Sequence, residues 1–312
     1  ARNLQSNASS IVNYLQISTF DKAITSLPLH YSFGLSVLNS FLEANAEVVL
    51  TSDSILTKGF WKTFKEQNVS FFAGVPFSFE ILSQLRFKNM QLPSLNCLVQ
   101  AGGRLTPDKI KIFEKIAKEK KSKLFIMYGQ TEATARISYV PPEKLKDKSS
   151  SIGIAIPDGK LYLKLKTEDS EEGELIYEGP NVMLGYANSI KDLALGDQMG
   201  GRLPTGDLAT KDEDGYFYLT GRMKRFLKLY GLRFNLDEAE SLLNKELNCP
   251  TICFGNDECL QIRIASHHAN YVEKATEIIS KSYGIHHTKL HVKLIEEVPR
   301  TSSGKIKYSD LL

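Results

Sequence analysis

Cysteine is scarce in this chain, with only Cys97, Cys249, Cys253 and Cys259 among 312 residues. The last three lie near His267 and His268, but no C-x-x-C pair occurs and the spacing matches no common zinc pattern. Neither a disulfide framework nor a structural zinc is expected. The thiols read as buried free residues of a cytoplasmic protein, kept reduced by its surroundings. No run of about 18 apolar residues occurs, so no membrane span is expected. Nor does a signal peptide appear in the residues given. Charge of one sign is also lacking: a net +3 is too small to imply nucleic acid as a partner. The densest basic run, KIKIFEKIAKEKKSK at 109–123, sets Ile110, Ile112, Phe113 and Ile116 at helical spacing. It reads as the solvated face of a helix.

What is present is globular: 42% hydrophobic and 24% charged residues, with room for one large or two ordinary domains. From 21 to 128, strand-like runs at 23–27, 47–50, 71–73, 97–100 and 124–127 alternate with helix-like runs. That alternation predicts an α/β fold, a layered parallel-type sheet with helices on both faces. Ligands of such sheets sit on the loops after the strands. Residues 135–223 are richer in β-type and turn residues, with strands at 160–166 and 174–177, and predict a β-rich subdomain beside the main sheet. Beyond it, 224–312 predicts a small α+β unit. Its helices fall at Leu236–Leu247 and Tyr271–Tyr283, the second closed by Gly284. The domains are thus expected to be 1–223 and 224–312.

Chemistry concentrates in TGDLATKDEDGYFYLTGRMKRFLKLYGLR, 205–233. The two oxygens of Asp207 can accept from both hydroxyls of a diol. Arg222 and Arg233 offer planar forks suited to phosphates or carboxylates. In AGGRLTP, 101–107, paired glycines let the backbone approach a flat ligand. MYGQTEAT, 127–134, is a polar loop with a helix cap at Thr131 and Glu132. PRTSSGK, 299–305, sets Lys305 on a Ser/Gly loop, yet Pro299 and Ile306 break the phosphate-loop pattern G-x-x-x-x-G-K-[ST].

TGDL, GRMK and KLYGLR closely resemble the ribose-binding and hinge segment of the adenylate-forming superfamily. AGGRLTP, MYGQTEAT, GELIYEGPNVMLGY at 173–186 and PRTSSGK agree with it in the right order. That superfamily comprises acyl-CoA synthetases, aryl-CoA ligases, firefly-type luciferases and peptide-synthetase adenylation domains. The resemblance implies that Gly102, Gly103 and Arg104 line the adenine and the floor of the acyl pocket. Tyr128 would stack on adenine, within a nucleotide-binding run of Met127, Tyr128, Gly129, Gln130 and Thr131. Thr131 would contact the α-phosphate and Glu132 would bind Mg²⁺. Asp207 would grip the ribose, with Arg222 and Arg233 assisting. Lys305 would be the catalytic lysine of a mobile C-terminal domain hinged at Lys224, with Gly231 lining the pantetheine tunnel.

The acyl pocket is expected near His30, Tyr31, Gly34 and Val75, although relatives carry the aromatic before the histidine and this chain reverses them. No acidic residue occurs between Leu27 and Phe41, which argues against an α-amino-acid substrate. The implied function is ATP-dependent activation of a carboxylic acid as acyl-AMP. Transfer to CoA, to the phosphopantetheine of an acyl-carrier protein or to an amine would follow. In the superfamily a Ser/Thr/Gly-rich loop with a lysine cradles the ATP phosphates just upstream of a segment like 1–20. No such loop lies in these residues, so the chain is expected to be an incomplete fragment, inactive alone. A non-catalytic acyl- or nucleotide-binding module is the alternative.

Overall fold

The computed structural model describes residues 1–165, 167, 169–223, 225–229, 232–301 and 305–311. The side chains of Lys228, Leu232 and Arg233 are outside that description. Lys224 and Gly231, expected at a hinge and a thiol tunnel, lie outside the described residues, as do Lys166 and the side chain of Arg233.

The larger sheet has seven strands: β1 (Lys22–Ile24), β2 (Glu47–Val49), β3 (Phe71–Gly74), β4 (Cys97–Gln100), β5 (Lys123–Tyr128), β6 (Ser138–Val140) and β7 (Ile154–Ala155). Their order is β2-β1-β3-β4-β5-β6-β7. The first five pair in parallel and the last two antiparallel. Side chains alternate between two buried clusters. Phe71, Ala73, Cys97, Val99, Phe125 and Met127 enter one, while Phe72, Leu98, Leu124 and Ile126 enter the other. Strands apolar on both faces require a cover on each.

Helices α1 (Arg2–Leu15) and α2 (Ser32–Glu43) cover the first face. Helices α3 (Lys58–Glu66), α4 (Pro76–Gln84) and α5 (Pro107–Glu119) cover the second. The local chemistry of α5 is typical. Thr106 caps it by accepting from the Lys109 amide, Pro107 occupies the first turn, and Ile110, Phe113 and Ile116 are buried. Phe113 meets Phe79 of α4 edge-on, with ring centroids 4.8 Å apart. Burying a side chain of that size stabilises by about 1.5–3 kcal/mol.

Of the stretch expected to be β-rich, 138–155 behaves differently. The strands β6 and β7 extend the large sheet, because β6 pairs with β5 (Ile126 opposite Val140) and sends Val140 into its core. The large sheet is therefore mixed. The second sheet begins at β8 (Lys160–Leu165) and continues through β9 (Gly173–Glu178), β10 (Arg202–Lys211) and β11 (Phe217–Arg222). It is wholly antiparallel, in the order β11-β10-β9-β8. The turn between β10 and β11 is the expected 212–215 turn, closed by Gly215 at φ 87°.

The remaining residues form β12 (Phe226–Leu229), β13 (Leu232–Asn235), α6 (Leu236–Leu247), β14 (Thr251–Asn256), β15 (Cys259–Ala265), α7 (Tyr271–Tyr283) and β16 (Leu290–Ile295). Asn235 caps α6 by accepting from the amides of Asp237 and Glu238. Among the described residues, those between Leu227 and Leu290 supply a third hydrophobic cluster that shares no member with the other two. Among the described residues no helix is long and apolar enough to cross a membrane.

Candidate functional site

The chain leaves β1 for β2 on one side and returns to β3 on the other, so strand order reverses between β1 and β3. Crevices at the carboxyl ends of strands form at such a reversal. Tyr31 and Gly34 follow β1, Val75 follows β3, Gly102 to Arg104 follow β4, and Gly129 to Glu132 follow β5. Three of these meet closely. Gly102 has φ 77°, and a Cβ there would lie 2.3 Å from Tyr31 Oη and 3.1 Å from Val75 Cγ1. Gly102 is thus the floor on which Tyr31 rests. Arg104 is exposed beside them. Gly34 serves packing, since a Cβ there would lie 2.3 Å from the carbonyl oxygen of Pro28.

Two expected residues are not brought into the group. His30 is exposed on the turn closed by the Tyr31 amide on Pro28 O. Met127 faces inward by strand alternation, and its sulfur accepts from Tyr14 Oη at 3.0 Å within the core.

The end of β5 meets β10 and β11. The Asp207 carboxylate is buried, and each of its oxygens is occupied. Oδ1 takes Arg222 Nε at 2.8 Å. Oδ2 accepts from Tyr128 Oη at 2.5 Å and from Gln130 Nε2 at 3.0 Å. Gln130 also donates to Thr205 O at 3.0 Å. Burial, then the Asp207 charge, hold the Tyr128 phenol well above its ordinary pKa, so it stays a donor. Asp207 and Arg222 lie directly opposite in the β10–β11 register. Arg222 reaches out from there, 61% exposed against 2% for Asp207.

Residues 131–133 form a single 3-10 turn. Thr131 Oγ1 lies 3.1 Å from Ser32 Oγ of α2. Glu132 Oε1 accepts from Tyr186 Oη at 2.8 Å, and its backbone oxygen accepts from the Met183 amide at 2.7 Å. The hydrogen bond to Glu132, followed by burial, raises the Tyr186 phenol. Glu132 Oε2 takes no hydrogen bond or ion pair from the described residues. A single half-buried carboxylate oxygen suits Mg²⁺, a hard ion that takes few protein ligands and fills its shell with water and phosphate.

Asn181 fixes this loop from behind. Its Nδ2 donates to Ala133 O at 2.7 Å and Arg136 O at 3.0 Å, and its Oδ1 accepts from Tyr177 Oη at 2.7 Å. Arg136, two residues past the motif, is 2% exposed. Asn181, Tyr186 and Arg136 were not among the candidates from sequence. Asn181 and Tyr186 do lie in the GELIYEGPNVMLGY run, and Arg136 is a lone cation in ARISYV.

Lys305 approaches from the C-terminal tail. Its Nζ lies 5.5 Å from the centre of the Tyr31 ring. Its own carbonyl oxygen accepts from the Thr301 amide at 2.8 Å. A cleft of about 690 Å³ lies elsewhere, lined by Arg225, Phe254 and Tyr308 among others. Arg225 there is committed to Asp237 and Glu240, which marks a structural ion-pair cluster.

Residues 1–187 match the family model described as AMP-binding enzyme. The chain belongs to the AMP-binding enzyme family. Among curated relatives, this AMP-binding enzyme is 26% identical to an oxalate–CoA ligase of Arabidopsis thaliana, over 98% of the chain and 62% of that protein. It is 28% identical to a long-chain-fatty-acid–CoA ligase of Yersinia pestis, over 99% of the chain and 57% of that protein. The chain therefore spans about three-fifths of the length of these relatives. Its fold is similar to that of o-succinylbenzoate CoA synthetase from Bacillus subtilis in complex with an acyl-adenylate intermediate. The TM-score is 0.78 at 23% identity, covering 99% of this chain and 64% of that one.

Proposed function

We propose that this AMP-binding enzyme chain activates a carboxylic acid as acyl-AMP at the expense of ATP and passes the acyl group to the thiol of CoA. The carrying observation is the buried Asp207, with Tyr128 and Gln130 on one oxygen and a mostly exposed Arg222 on the other. Arg222 can swing away in solvent and leave a carboxylate edge for the ribose hydroxyls. The coenzyme A ligases among the relatives favour CoA over a carrier-protein thiol or an amine.

In the first half-reaction a substrate carboxylate oxygen attacks the α-phosphorus of ATP and pyrophosphate leaves. Two anions meet, so catalysis needs cations and donors aimed at the phosphoryl oxygens. Lys305 is a compact cation suited to touch both carboxylate and phosphate. Thr131 donates to the α-phosphate, and Gly102 and Gly103 let the adenine lie against the backbone. Mg²⁺, taken by Glu132, would supply charge neutralisation on the phosphates.

Residues 224–312 act in this reading as a lid. Lys305 must leave before a thiol enters, so the lid turns about Lys224, with Gly231 beside the pantetheine and Arg233 assisting at phosphate. The four free cysteines support a cytoplasmic site of action.

The test is titration with AMP, 2′-deoxy-AMP and 3′-deoxy-AMP, followed by acid-dependent exchange of labelled pyrophosphate into ATP by the whole protein. Each deoxy compound should bind roughly tenfold or more weakly, the worth of one hydrogen bond to a charged group. Equal affinities would remove Asp207 as the diol acceptor. AMP binding with no exchange would favour the non-catalytic binding module.

A further inference from the structure

The buried Arg136 has no role in the reaction above. It is 2% exposed, and its guanidinium lies 3.9 Å from the centre of the Phe33 ring. Tyr14 is close enough to raise its pKa against that burial. Its Nε has no partner, and no carboxylate pairs with it among the described residues. Burial without a counter-charge pushes its pKa down. A desolvated guanidinium with an idle N–H is costly, and a purely structural arginine would be expected to have an acid or carbonyls around it.

The backbone is shaped to put it there. Thr134 has φ 52° and Ala135 has φ 117°, both in the left-handed region that side chains avoid. The Arg136 carbonyl is then gripped by Nδ2 of both Asn7 and Asn181, at 3.1 and 3.0 Å. A strained turn, locked from two sides, holds a cation inside the molecule. Strain of this kind persists where surrounding structure imposes it, and it gathers at ligand sites.

The position relative to the reacting centre is informative. Arg136 is linked to Lys305 through two neighbouring rings, Phe33 under the guanidinium and Tyr31 under the lysine, with ring centroids 6.3 Å apart. The Tyr31 ring carries Lys305 Nζ at 5.5 Å, its hydroxyl rests over Gly102, and its phenol feels the Arg136 charge. Burial raises the Tyr31 pKa against that charge, so Tyr31 remains neutral and cannot serve as the counter-ion. Two cations thus sit on two adjoining neutral rings.

We propose that Arg136 recognises a second carboxylate at the far end of the acyl group, which makes the substrate a dicarboxylic acid. One carboxylate lies at Lys305 and reacts. The other pairs with the Arg136 fork after the Tyr31 side chain moves aside, filling the idle Nε–H. This inference rests on the acyl-adenylate reading, and it names the substrate class of that site.

The experiment uses non-hydrolysable acyl-sulfamoyl-adenosines in matched pairs: succinyl, glutaryl and adipyl, each against the same chain ending in a neutral amide. Affinities are measured for the protein and for Arg136→Met and Arg136→Lys, with thermal melts as the folding control. In at least one pair the acid form should bind roughly 10- to 100-fold more tightly, the range for a hydrogen-bonded charge pair. Arg136→Met should abolish that preference and leave the amide form unchanged, while Arg136→Lys should keep part of it. Acid and amide forms binding equally in every pair would overturn the inference and leave the acyl-adenylate reading intact. Binding of neither form would overturn both. If Arg136→Met does not fold, the wild-type preference and its partial retention in Arg136→Lys carry the test, and a preference unchanged by lysine overturns the assignment.

Discussion

Asp207 and Arg222 face each other across β10 and β11, one with its side chain 2% exposed and the other 61% exposed. The asymmetry decides what each contributes. Arg222→Ala removes a solvent-screened partner and should cost less than about 1 kcal/mol of stability. Asp207→Ala leaves the Tyr128 hydroxyl and the Gln130 amide without their acceptor, and should cost about 1–3 kcal/mol. Urea unfolding of the two variants checks this order, and equal losses would contradict it.

Asn181→Ala should damage the nucleotide loop from a distance. The side chain is nearly inaccessible, and its removal strands the Ala133 carbonyl and the Tyr177 hydroxyl and leaves the Arg136 carbonyl to Asn7 alone. The expected cost is about 2–3 kcal/mol, with weakened AMP binding although Asn181 is not expected to touch the nucleotide. A urea melt and an AMP titration read the two effects separately.

Gly129→Ala is expected to disrupt the same loop by collision. A Cβ there would fall 1.6 Å from the Ala135 carbonyl oxygen, and backbone must move to admit it. The loss should reach about 2 kcal/mol or more. A wild-type urea midpoint in Gly129→Ala would show that this turn is softer than its packing indicates.

Asp212 should give a pH signature. Burial works to raise its pKa, but Lys148, the Tyr216 amide and the Tyr218 hydroxyl together pull it down to about 2. A carboxyl depressed in the folded state stabilises above its unfolded pKa, and that contribution is lost as pH falls through the folded value. Asp212→Asn should therefore be less stable than wild type by about 1 kcal/mol at pH 6, after allowing for solvent screening. The gap should narrow below pH ~4 and close near pH ~2. Chemical denaturation across that range measures it, and a gap constant with pH would count against the ion cluster.

Lys305→Ala should lower acyl-adenylate formation by about 100-fold or more, as removal of a charge-stabilising donor does elsewhere. Nucleotide binding should be largely kept, because Lys305 is exposed and lies over Tyr31, away from Asp207. Single-turnover quench of the first half-reaction in the whole protein gives the rate. An unchanged rate would move the catalytic lysine elsewhere.

Much of the large sheet was legible because each central strand is an apolar run bounded by turn residues, and strands buried on both faces look like that. Capping residues located α5 and α6 for the same local reason. Pairing partners were not legible. Ser138–Val140 and Ile154–Ala155 carry β-type residues, but only the packed structure says which sheet edge they join. In the candidate site, Gly102, Tyr128, Gln130 and Asp207 stood out through residue chemistry and motif. Met127 was drawn in by its motif neighbours, although strand alternation already pointed it inward. His30 was singled out by likeness to an aromatic–histidine pair in the resembled family, and that likeness does not report exposure. Arg136 was passed over because an isolated arginine in sequence suggests surface, and its burial depends on a turn with two positive φ angles that no local pattern announces.

Among the described residues, the third hydrophobic cluster holds none in common with the two that sandwich the large sheet. Loss of packing in one has no shared interior through which to spread to the other. The segment holding this cluster should therefore open and close with a protection factor of its own. Amide exchange would then report two plateaus along the chain where a single cooperative block would give one.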